Sequence, residues 1–188
     1  MDIDSLRDSI SRITQRGVCM PIAGTFLWIA MAILGEILPL KTAMFIVFCA
    51  TGLVFPLGLA IAKATGADLM SRDHPLSSLG LVMNLVQLAY WPVVVVVHFN
   101  APQWTAFTMA VLFGSHFLPY AWLYRSQGYA LIGGLSMALP VALAFAGMAE
   151  ITAVALVMVL AYVVGIARVL AENRRDGYGR PAGAAATA

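Results

Sequence analysis

Six stretches of predominantly apolar residues divide the chain, at 18–38, 41–62, 76–98, 103–124, 128–148 and 150–171. Each holds about twenty residues, which as α-helix rise about 30 Å, the thickness of a bilayer's hydrocarbon core. Backbone groups in lipid must be satisfied within the segment, which leaves helices or a closed barrel. A barrel needs alternating segments of about ten residues. Runs such as Val93-Val94-Val95-Val96-Val97 and Ile151 to Gly165 do not alternate. The pattern therefore predicts an all-α polytopic membrane protein with six transmembrane helices.

A different periodicity precedes the first span. Ile3, Leu6, Ile10 and Ile13 recur three and four residues apart, with Arg7, Arg12 and Arg16 between them. That spacing predicts a short amphipathic helix over residues 2–16, suited to a headgroup surface. Asp2 and Asp4 stand at its start, where the helix dipole favours negative charge. The expected organisation is an amphipathic helix over 1–17, a six-helix transmembrane domain over 18–171, and a tail over 172–188. The stretch from Gly177 to Ala188 is Gly- and Ala-rich and offers nothing to pack, so the tail is expected to be disordered.

Composition agrees with the pattern. Of 188 residues 61% are hydrophobic and 11% charged, and the mean hydropathy is +0.87. Soluble domains are nearer half apolar and a quarter charged, so a soluble domain of this size is excluded. Charge settles orientation. With the N-terminus inside, the inner segments hold Arg7, Arg12, Arg16, Lys63, Arg72, Arg125, Arg168, Arg174, Arg175 and Arg180, and the outer ones only Lys41. The positive-inside rule then places both termini in the cytoplasm. No signal-peptide pattern is read at the start, where polar residues lead straight into a span.

Polar residues inside the spans carry the candidate chemistry. His116 lies in the fourth span, with Tyr120 one turn on and Tyr124 a turn further. The third span carries Asn84 and Gln87 on one face, followed by Trp91. The spans run antiparallel, so Asn84, Gln87 and His116 fall at similar depth. Two readings stay open. These residues form a substrate or proton pocket with Tyr120, Tyr124 and Trp91, since histidine titrates near neutral pH. Alternatively they bond helix to helix.

Pro56, Pro92, Pro119 and Pro140 interrupt four spans, and each removes a backbone bond and tends to kink its helix. The segment Phe55 to Ala62 resembles Leu139 to Ala146. These fall in the second and fifth spans, so a genuine repeat would be inverted, as in many transporters.

Other chemistries find no support. No span interior holds an Asp, and there is no His-Glu-x-x-His, Cys-x-x-Cys or phosphate-binding Gly-rich loop. His74-Pro75 reads as punctuation before the third span rather than a metal site. Ser115 and His116 are adjacent and diverge on a helix, so they make no dyad. Cys19 and Cys49 read as small apolar fillers at different depths. No cofactor, metal or nucleic-acid partner is expected. The lipid bilayer is, with a small-molecule or ion substrate and a homodimer as further candidates.

Three segments carry a resemblance: Gly52-Leu53-Val54-Phe55-Pro56-Leu57, then Pro75-Leu76 through Asn84, Gln87, Tyr90 and Pro92, then Gly114 to Tyr124. In these the chain resembles an uncharacterised bacterial family of small multi-pass inner-membrane proteins with no assigned activity. The resemblance implies an inner-membrane protein and carries no catalytic residues over. The functional expectation is a small transporter or permease-like protein. A structural or accessory membrane protein is the alternative, and a membrane-embedded enzyme comes third.

Overall fold

The computed structural model describes residues 2–71 and 74–178, and every regular element among them is helical. In chain order these are α1 (Ile3–Thr14), α2 (Cys19–Ile37), α3 (Leu40–Thr51), α4 (Val54–Thr65), α5 (Ser77–Asn100), α6 (Thr105–Ser115), α7 (Phe117–Leu123), α8 (Gln127–Phe145) and α9 (Ile151–Arg175). Five helical stretches are long and apolar enough to cross a membrane, and α3 with α4 makes a sixth when the bent pair is counted as one.

All six hydrophobic stretches are helical, but two are broken. The second bends by 47° between α3 and α4. Pro56 has no N–H to give the carbonyl of Gly52, so the ladder is interrupted there. The fourth stretch breaks at His116, between α6 and α7. Pro119 leaves the carbonyl of Ser115 without its helical donor. Pro92 and Pro140, by contrast, lie within continuous helices. Two of the four prolines therefore interrupt their spans, and two are absorbed.

Helix α9 is the axis of the bundle, packed on α8 and α2, while α6 closes on α8. The α8–α9 crossing is close because glycines face each other. A Cβ on Gly165 would stand 2.1 Å from Ile132 Cγ1 and 2.8 Å from the carbonyl oxygen of Gly128. Any side chain there would force the backbones apart. Close approach at small residues of this kind is also what lets helices associate in lipid, where a hydrophobic drive is lacking.

Helix α5 is the outlier. It rests on α6, and Val94 is its one fully buried residue. It makes no substantial contact with α4, which packs on α2 instead. An inverted repeat would match α5 with α9 and α4 with α8, yet α8 and α9 form the most extensive contact in the bundle. The two halves do not pack alike.

Both described ends of the chain meet at one end of the bundle, here called the terminal face. Arg16 Nη1 donates to Asn173 Oδ1 at 2.8 Å, and Nη2 to Asp176 Oδ2 at 2.5 Å. Its guanidinium also lies over the Tyr178 ring. Gln15, Arg16 and Gly17 all have positive φ, at 50°, 56° and 62°, a costly run for two non-glycine residues. Outside bonds hold it. Tyr129 Oη donates to the Arg16 carbonyl at 2.6 Å, and Asn173 Nδ2 to that of Gln15 at 2.8 Å. Helix α1 turns Ile10, Ser11 and Thr14 onto the bundle, so one of its faces is covered by protein.

Residues 172–175, which the expected tail began with, belong to the last helix. Helix α9 continues to Arg175, and Glu172 and Asn173 are buried. The Glu172 carboxylate accepts from Ser126 Oγ at 2.5 Å and from the backbone N–H groups of Gln127 and Gly128, so it caps α8 from a neighbouring helix. Composition could not anticipate contacts to residues so distant in sequence. Residues 179–188 of the expected tail lie outside those described.

Candidate functional site

The break between α6 and α7 sets His116 where α5 crosses. The helices run antiparallel in a register that pairs Gln87 with His116 and Gly80 with Tyr120. Gln87 Nε2 and His116 Nε2 are 2.6 Å apart, and Tyr120 Oη donates to the Gly80 carbonyl at 2.9 Å. On its other edge the imidazole meets the Phe113 carbonyl through Nδ1. A carbonyl only accepts, so Nδ1 carries the proton and Nε2 receives the Gln87 amide N–H. Both ring nitrogens are thus engaged, and His116 is 6% exposed.

Asn84 does not join this pair. Its side chain donates to the Gly80 carbonyl of its own helix at 3.4 Å. Asn84 lies almost one turn from Gln87 along α5, and its amide is satisfied locally. Trp91 takes part through its ring, packing edge-on to Phe48 at 5.3 Å and tilted against Phe113 at 6.0 Å.

Below the Gln87–His116 pair lie two adjoining cavities of about 600 Å³ and about 410 Å³. Met20, Phe55, Leu81, Asn84 and Phe117 line both, so the two lie side by side along α5. The larger starts at the terminal face beside Thr14, Ser71, His74 and Ser77. The smaller ends against Trp91, Phe113 and His116. One wall is aromatic. Tyr120 stacks on Tyr124 at 5.8 Å, Tyr129 meets both, and Phe117 bridges Tyr129 to Tyr162. Phe48, Trp91 and Phe113 form a layer at the far end.

A model of a family of unknown function, DUF7010, matches residues 3–172. The chain belongs to that family. No curated protein and no solved structure matches it. The matched segment includes every residue named in the cavity wall.

Of the residues singled out from sequence, Gln87, His116 and Tyr120 meet across one helix crossing. Tyr124 belongs to the aromatic wall, and Trp91 to the layer that ends the cavity. Arg16, His74, Tyr129 and Tyr162 were missed. His74 read as punctuation, yet it stands at the cavity rim. Tyr129 and Tyr162 carried a usable signal, a phenol within an apolar span, but nothing in their spacing tied them to His116.

Proposed function

We propose that the protein resides in a cell inner membrane with the terminal face in the cytoplasm, and that it acts as a small permease-like transporter. The observation that carries this reading is the row of two cavities from the terminal face to the Gln87–His116 pair, ended by Phe48, Trp91 and Phe113. Arginines around that face support its assignment to the cytoplasm. The two cavities, joined as one path, read as the inward-facing half of an alternating-access cycle, with the aromatic layer as the outer gate.

Site-directed labelling tests the orientation and the path. With Cys19 and Cys49 replaced by alanine, cysteines at Ser78 and Asn84 should react with a membrane-impermeant maleimide in inside-out vesicles and not in intact cells. Labelling from the outside, or none from either side, overturns the reading. Transport itself is tested by flux across a solute panel in proteoliposomes, where replacing Trp91 with alanine should open the gate and raise leak.

A second reading is favoured by one specific feature: both nitrogens of His116 are already bonded within the protein. In that reading the pair is a clasp between α5 and the α6–α7 break. His116→Leu would then lower stability in detergent and leave any flux per folded molecule unchanged.

A further inference from the structure

We infer that the cavity takes a single-chain amphiphile from the surrounding leaflet, tail innermost and an oxygen-bearing head at the terminal face, entering between α4 and α5. This rests on the membrane placement and on the same cavity as the permease reading, and it names the class of ligand.

The shape is the first argument. Helices α4 and α5 flank the cavity and make no substantial contact with each other. The bend of 47° before α4 and the sparse packing of α5 leave a slot along the side of the bundle. Leu53 and Phe55 on one flank and Leu81, Leu85 and Leu88 on the other are exposed at or beside it. Such a rim favours hydrocarbon over a hydrated solute. Along α5, the two cavities together run from Ser77 to Trp91, a rise of about 21 Å. Half of a bilayer measured with its headgroups is about 20–22 Å.

Polarity is the second argument, because it is graded along that length. The deep end is lined by Leu27, Trp28, Trp91 and Phe113; of the polar groups there, Thr51 bonds the Phe48 carbonyl, the Gln87 amide nitrogen bonds His116, and the imidazole has no free nitrogen to offer a ligand. The other end carries Ser71, Ser77 and Ser78. The serine hydroxyls at that end can hydrogen-bond the oxygens of a polar head.

The test uses a photoreactive sixteen-carbon fatty acid with the full-length protein in lipid nanodiscs, with crosslinked peptides mapped by mass spectrometry. Label is expected on the cavity residues Met20, Phe55 and Phe117, competed by unlabelled fatty acid. Label confined to outward-facing residues such as Phe99 and Phe145 overturns the inference. Gly80→Phe should abolish cavity labelling with thermal stability retained, because a Cβ at Gly80 meets nothing within 4 Å. Undiminished cavity labelling in Gly80→Phe would also overturn it. Cavity labelling without flux of any solute sinks the permease reading and leaves this one standing. Flux of a water-soluble solute without cavity labelling does the reverse.

Discussion

The side-chain amide nitrogen of Gln87 stands 2.6 Å from His116 Nε2, joining the most loosely packed helix to the break in the fourth span. Interhelical hydrogen bonds in membranes average about 0.6 kcal/mol, while a buried group left without its partner costs about 1–3 kcal/mol. Gln87→Leu and His116→Leu should each destabilise by about 1–2 kcal/mol. The double variant should cost clearly less than their sum. Reversible unfolding in mixed micelles measures this cycle, and strict additivity would show that the contact contributes nothing.

The α8–α9 crossing should be the least tolerant place in the bundle. Gly165→Ala puts a methyl against Ile132 and the Gly128 carbonyl, and overpacking of this kind costs about 1–3 kcal/mol. On the same helix as Gly128, a Cβ at Gly134 meets nothing within 4 Å. Gly134→Ala should therefore be neutral or stabilising by up to about 1 kcal/mol. Equal losses at the two positions, read by thermal denaturation, would refute the packing account.

Glu172 is 4% exposed and spends its carboxylate on the start of α8. Glu172→Ala should cost about 2 kcal/mol by leaving Ser126 and two backbone N–H groups short of an acceptor. Glu172→Gln keeps one acceptor oxygen and should lose less. Hydrogen exchange at Gln127 and Gly128 provides the local readout, and unchanged protection in Glu172→Ala would contradict the cap.

Acid should loosen the terminal face. Bonds from Arg175 and then Arg16 hold the Asp176 carboxyl below its ordinary 3.8. A depressed carboxylate contributes stability that is complete above its unfolded pKa and is lost as pH falls through the lower folded value. Stability should therefore decline below about pH 4 in the native chain, more steeply than in Asp176→Asn. The carboxyl is partly exposed, so the difference will be small and will shrink with salt. Parallel acid limbs for the two proteins would rule the linkage out.

Hydrophobic stretches of about twenty residues made the helical architecture legible without coordinates. Backbone satisfaction in hydrocarbon permits few alternatives, and each span declares itself locally. The level at which Gln87 could meet His116 was legible too, because depth follows from counting residues along antiparallel helices. Whether Asn84 joined them was not, since that turns on a rotation of less than one helical turn. The division of labour among prolines was also hidden: Pro56 and Pro119 sit at breaks, while α5 and α8 run unbroken through Pro92 and Pro140. Only the tertiary structure decided which helices touch. Gly128 and Gly165 bring α8 against α9, α5 is left at the edge, and the space between α4 and α5 becomes a cavity. Besides its local pair with Arg168, the buried carboxylate at 172 reaches Ser126, and the buried guanidinium at 16 reaches Asn173, both more than forty residues away. Local sequence holds no record of such distances, because they follow from how finished helices pack.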